Sequence, residues 1–162
     1  MGDIKSAFSG VNTMTVTNLH SLASSATAGW QSAVVDNTSN LYLDAIVQVV
    51  LDFANTSPAN DRAAYVFAYG GIDTTYTNPV SGSEGTLTLT SIATTQQNMK
   101  LIGVVAYNTA DEVAESQPMS VAAAFGGVLP PKWGVAIMNF SGAALAGSGN
   151  SVAWRGVYAT QS

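Results

Sequence analysis

His20 is the one imidazole in the chain, so every site that needs two histidines is excluded. Its serine-rich surroundings offer Ser–His–Asp combinations through composition alone, and no Gly-x-Ser-x-Gly elbow is present to expose a nucleophile. His20 therefore reads as a polar residue at a strand end. Paired carboxylates would suit glycoside hydrolysis, in which one acid protonates the leaving oxygen while the other activates water or attacks. Asp111, Glu112 and Glu115 cluster in one loop, and Asp44 and Asp52 share one side of a strand. Neither set has a diagnostic spacing, so they read as a solvated acidic loop and two outward strand residues. The loop also lacks the Asp-x-Asp-x-Asp-Gly ladder that makes a Ca²⁺ site specific. Cysteine is absent, which removes disulfides, thiolate zinc sites and a Cys nucleophile. The expectation is a protein that is not an enzyme and carries no catalytic residue, metal or cofactor.

Gly147-Ser148-Gly149-Asn150 begins like a phosphate loop but lacks the following Lys-Ser/Thr and precedes a strand pattern, so a hairpin turn is expected there. Asn-x-Ser/Thr sequons occur at Asn37, Asn55 and Asn139, as a Ser- and Thr-rich chain produces by chance. The aromatics Trp30, Trp133 and Trp154, with six tyrosines, admit two readings. Exposed on a β-sandwich they would stack against sugar rings. Buried, they fill the core or a subunit contact. Core or contact is the preferred reading.

The elements that must position these residues are strands. From Leu41 to Phe53 every odd position is apolar, while Tyr42, Asp44, Gln48 and Asp52 fall on even ones, the period-two mark of a strand with one face on a core. Ala64–Tyr69 alternates tyrosine and phenylalanine with alanine and valine, and Thr86–Ile92 alternates threonine with leucine. Met99–Tyr107 is apolar on both faces, as in a strand buried between layers. Val121–Phe125, Trp133–Phe140 and Val152–Tyr158 complete the set, with shorter strands at Met14–Leu19 and Trp30–Val35. Turn signals separate the runs: Ser57-Pro58-Ala59-Asn60-Asp61, Asn78-Pro79, Ser81 to Gly85, Asn108 to Asp111, Pro130-Pro131, Ser141-Gly142 and Gly147 to Asn150. About eight or nine short strands with such connectors predict an all-β, single-domain β-sandwich of jelly-roll type over residues 14–162. Residues 1–13 have no clear period and read as a frayed terminus or an N-terminal arm.

Composition then bounds the function. The 162 residues are 47% hydrophobic and 9% charged, where a soluble domain usually carries about 25% charge. Five Lys and Arg against ten Asp and Glu cannot neutralise a phosphate backbone, so nucleic acid is excluded as a partner. The most apolar run, Leu41 to Ala54, is interrupted by Asp44, Gln48 and Asp52, which argues against a membrane span. The first residues lack the pattern of a signal peptide, and their loose match to a myristoylation motif stands alone. A surface built from Ser, Thr, Asn, Gln, Gly and Ala opposes close contact weakly, because little charge must be desolvated and little side-chain entropy is lost. It suits a protein that lives against neighbours.

Several phrases resemble small jelly-roll virion proteins of tailed bacteriophages: Ser21 to Ser25, Gly29-Trp30-Gln31-Ser32, Leu41-Tyr42-Leu43-Asp44-Ala45, Gly127 to Gly134, Asn139 to Leu145 and Asn150 to Tyr158. The resemblance runs from about Thr13 to the end of the chain. It implies a capsid cement, or decoration, protein that is made in the host cytoplasm and binds the capsid exterior of the virion. There it would clamp adjacent subunits of the major capsid protein, acting as a homodimer or homotrimer. The tentative interface or loop-shape residues under this reading are Trp30, Pro130, Pro131, Trp133, Asn139, Gly142 and Trp154. The alternative is a carbohydrate-binding module on a tail or fibre.

Overall fold

A computed structural model describes residues 3–54, 57, 63–74, 79–89 and 98–161. The described strands are β1 (Ile4–Phe8), β2 (Asn12–Thr13), β3 (Ala28–Gln31), β4 (Val35–Asp36), β5 (Asp44–Asp52), β6 (Ala63–Gly71), β7 (Gly85–Thr88), β8 (Met99–Ala106), β9 (Val113–Glu115), β10 (Met119–Ser120), β11 (Lys132–Asn139) and β12 (Ser151–Gln161). One helical turn, α1 (Val121–Ala124), follows β10. The first sheet runs β1-β12-β5-β10, with β2 beside β12 and β9 beside β5; the second runs β7-β3-β11-β6-β8, with β4 beside β11. All pairings are antiparallel. The chain is thus an all-β sandwich, and its strand order is compatible with the jelly roll expected.

The alternation in β5 works as its pattern predicts. Ala45, Val47, Val49 and Leu51 are fully buried against the second sheet, while Asp44, Ile46, Gln48, Val50 and Asp52 are half-buried on the other face. In β6, Ala64, Val66 and Ala68 enter this shared core, and Phe67 and Tyr69 turn to the far face. That far face of the second sheet has its own small cluster, in which Tyr69, Val80, Leu87, Met99 and Met138 are buried. Residues of β11 are consequently covered on both sides, which explains its nearly continuous apolar run.

Several expectations are corrected. The strand drawn from Leu41 begins only at Asp44, because the Asn37 side chain occupies the backbone that would pair. Its Nδ2 donates to the Tyr42 carbonyl (3.0 Å) and its Oδ1 accepts from the Tyr42 N–H (2.9 Å), with Leu41 at φ 52°. Leu41 and Leu43 are left exposed. Met14–Leu19 is no strand: the Leu19 and His20 N–H groups both donate to the Val16 carbonyl and coil the segment into a turn. Trp30–Val35 divides into β3 and β4. Met99–Tyr107 is not buried between layers; β8 is the edge of the second sheet among the described strands, and Leu101 and Val104 are exposed.

Val121–Phe125 contains α1 rather than a strand, since Ser120 caps Ala123 N–H (3.0 Å) and the alanines that follow favour helix. Gly147 to Asn150 is no hairpin turn, because β11 and β12 lie in different sheets and this loop crosses between them. The Ile4–Phe8 segment of the expected arm is β1, paired residue by residue with the last five residues of β12. Pro58 to Asp61, Asn78 and the end of Thr86–Ile92 lie outside the described residues.

Candidate interaction surface

The tryptophans are inside. Trp30 and Trp133 are fully buried, and Trp154 is 9% exposed. Trp133 meets Trp154 edge-on (5.2 Å, 86°), and Trp154 meets Tyr42 in the same way (6.1 Å, 72°), so one aromatic column ties β11 to β12. No tryptophan is available as a sugar platform or as a direct contact with a partner. Asn139 is also fully buried, whereas Gly142 and Pro131 are exposed and Pro130 is half-buried. Pro130-Pro131 precedes β11 and Asn139 ends it, so the two loops stand about 25 Å apart by strand rise and cannot build one site. Asn37 and Asn139 are both buried, so neither sequon is open to a glycan. Asn55 lies outside the described residues.

Two of the acidic candidates, Asp44 and Glu112, hold local structure. Asp44 Oδ1 accepts from the Ala122 N–H (2.8 Å) and Oδ2 from the Ser120 hydroxyl (2.7 Å), which fixes α1 to β5. Asp52 sits eight residues along the same strand, about 26 Å away, far beyond the separation of a glycosidase pair. Glu112 Oε2 accepts from the Asn108 and Thr109 N–H groups and the Thr109 hydroxyl, and these bonds hold its carboxyl below the ordinary glutamate range. His20 Nδ1 lies 3.1 Å from Asn150 Nδ2. Asn150 Oδ1 in turn accepts from the Asp52 N–H, so the group braces a loop. Among the described residues no cluster of His, Asp or Glu has the grouping of a metal site.

Glu84 ties the turn at Asn18 to β3. It accepts from the Asn18 N–H and side-chain amide and from Trp30 Nε1, each at 2.8 Å. Burial pushes its carboxyl up, but those three donors together hold it below the ordinary glutamate range. A lowered folded pKa means the stability contributed is complete at neutral pH and is lost as pH falls through the folded value. Glu84→Gln should therefore lower the urea midpoint at pH 7, and the two curves should converge in acid, once pH has fallen below the ordinary glutamate range and the wild-type carboxyl protonates. A constant gap from pH 7 into acid would contradict the assignment. On the surface, Lys132 Nζ lies 2.5 Å from Asp36 Oδ2 and, with the Thr38 hydroxyl and N–H, holds the Asp36 carboxyl well below its usual range.

Among the described residues, one open region is a depression of about 560 Å³ between β8 and the segment from Glu115 to Ala124, and another is the outer face of the first sheet. Ile46 and Val50 lie half-buried there, and Phe8, Val11 and Val113 are 52%, 66% and 60% exposed. The Arg155 guanidinium stands 5.8 Å over the Phe8 ring, and a small depression beside it is lined by Val11, Ile46, Gln48 and Pro118. Unlike the second sheet, this face carries no second buried cluster among the described residues. A further depression lies on the inner side, past the start of β5, among Leu41, Leu43 and Tyr158. The sequence reading missed Phe8 and Val11 because residues 1–13 show no period; once β1 is paired to β12, Ile4 and Phe8 fall on one face. No protein-family model, no curated protein and no solved structure matches this chain.

Proposed function

We propose that this chain is a non-enzymatic virion structural protein, a cement or decoration protein that binds the outside of a phage head and strengthens contacts between major capsid subunits. The observation that carries this reading is the outer face of the first sheet, where the exposed or half-buried Phe8, Val11, Ile46, Val50 and Val113 stand among Gln48, Asp52, Glu115 and Arg155, on a chain with 9% charged residues. Grouped exposed apolar side chains with polar residues between them suit an interaction site, and the scarce charge of the chain keeps the desolvation cost of covering it low. The resemblance to jelly-roll virion proteins supplies the partner. Asp44, Glu112 and His20 are engaged in holding a helical turn and loops, and the carbohydrate-binding alternative loses the tryptophans it drew on.

The mechanism is additive contact. Many copies, each burying on the order of 1,000–2,000 Å² against shell and neighbours, raise the energy needed to part capsomers. A homodimer or homotrimer engages several lattice points at once, so avidity outweighs single-site affinity. No nucleic acid, membrane or cofactor takes part, and the working location is the capsid exterior after synthesis in the host cytoplasm.

Co-sedimentation of the purified chain with undecorated expanded heads tests this. Saturable binding at a fixed number per capsomer is expected. Val11→Glu, which places a charge on the exposed face, should weaken it at least about tenfold while the melting temperature is unchanged. Heads that pellet without the protein would contradict the proposal.

A further inference from the structure

Strand β1 has β12 on one side and no described strand on the other. The direction of its free backbone groups follows from one bond. The Ser9 N–H donates to the Gly156 carbonyl (2.8 Å), and Phe8 stands opposite Val157, so by alternation Ala7 and Lys5 point their backbone groups toward β12. The alternating residues, Ile4, Ser6 and Phe8, therefore direct theirs outward. Their side chains also share one face, the outer face of the first sheet, with Val157 and Ala159 opposite Phe8 and Ser6. Ile4 is 81% exposed and Ser6 is exposed beside it.

The same end of the sheet is thin. Strand β5 accompanies β12 only from Ser151 to Val157, and beyond that Tyr158–Gln161 pairs with β1 alone. A two-stranded ribbon open on both faces is marginal in water and gains from added strands. Natural edge strands are usually blunted by proline, a bulge or several charges. Between Ile4 and Phe8, β1 has no proline, an unbroken register and one charged residue, Lys5.

We infer that the outward edge of β1 pairs antiparallel with β1 of a second copy of this chain, about a two-fold axis at Ser6. The strand is self-complementary in that register. Ser6 meets Ser6 of the second copy, and Ile4 meets Phe8 twice, so each outward N–H and carbonyl finds a partner while two aliphatic–aromatic pairs close on the outer face. Lys5 falls opposite Ala7, and the two lysines meet only diagonally across about 7–8 Å. The pairing joins two sandwiches through one continuous first sheet, and doubles the apolar outer face. It deepens the cement reading, on which it rests for its purpose, by naming the surface that makes the dimer.

Ser6 also supplies the test. Its N–H faces the free edge, so Ser6→Pro blocks pairing between copies and leaves the bonds to β12 intact. Sedimentation velocity of the full chain should show a concentration-dependent dimer at about 100 μM, since an interface this small holds weakly. Ser6→Pro and Ser6→Lys, the latter setting two lysines face to face, should each raise the dimer Kd at least about tenfold. Amide exchange by NMR should show the Ser6 and Phe8 N–H groups gaining protection with concentration, while Lys5 and Ala7 are protected throughout. If Ser6→Pro fails to fold, Ser6→Lys decides the matter. A monomer at about 100 μM, or a dimer indifferent to both substitutions, would overturn the pairing. A monomer that still saturates heads would sink this interface and leave the cement proposal standing; a Ser6-sensitive dimer that ignores heads would do the reverse.

Discussion

Asn139→Ala should cost about 3 kcal/mol of unfolding free energy, because four hydrogen bonds at a fully buried side chain disappear together. Asn139 Nδ2 donates to the carbonyls of Leu22 (3.1 Å) and Ala143 (2.8 Å), and Oδ1 accepts from the Ser141 N–H (3.1 Å) and hydroxyl (2.6 Å). The bonds tie the end of β11 to the 141–145 loop and to the segment at Leu22. Leu22 keeps the Leu145 N–H as a donor, and the one Ser141 hydroxyl proton, released from Asn139, can turn to the Ala143 carbonyl, which keeps the loss from being larger. Asn139→Asp should be worse at neutral pH, since a carboxylate would confront two carbonyls without a proton to offer. Desolvation and those carbonyls raise the pKa of the introduced acid, so its penalty should shrink as pH falls and the group protonates. Urea unfolding across pH 4 to 8 reads both variants. Wild-type stability in either would mean that the loop is not held through Asn139.

Gly134→Ala should destabilise by about 3 kcal/mol, the high end of ordinary overpacking. A Cβ at Gly134 would fall within the ring of Tyr69, on the neighbouring strand β6. The ring cannot move aside cheaply. Tyr69 is fully buried and its hydroxyl donates to the Ser32 carbonyl (2.8 Å), while Ser32 Oγ accepts from the Val135 N–H (3.0 Å). Gly156 offers an internal comparison, because its missing Cβ is likewise covered by a tyrosine ring, that of Tyr42. Tyr42 is only half-buried and can swing toward solvent, so Gly156→Ala should cost about 1 kcal/mol. Equal costs at the two glycines would show that burial of the tyrosine does not set the penalty.

Those two sites also show where the sequence was legible. Alternation located β5, β6 and β12 and an apolar run located β11, each within two or three residues, because β5 and β12 set one face on the shared core while β11 is covered on both. It misjudged β8, since a continuous apolar run reads the same in a covered strand and in an edge strand whose leucine and valine are left outside. It misplaced the start of β5, because the Asn37 side chain takes the Tyr42 backbone out of the ladder, a contact that spacing does not reveal. The helical turn at Val121 was hidden by a single β-branched residue, although Ser120 and the alanines carried the signal. The candidate surface was the least legible part. Trp30, Trp133 and Asn139 stood out by residue type and lie in the core, whereas Phe8 and Val11 acquire meaning only once β1 has joined β12.

The most direct measurement of the central claim is the copy number of this chain in purified virions of the phage to which the proposal assigns it, by quantitative mass spectrometry against the major capsid protein. The account predicts near-stoichiometric abundance, as a lattice protein requires. Complete absence from the particle would contradict it, and a few dozen copies or fewer would contradict the cement role by moving the chain to the tail or a fibre.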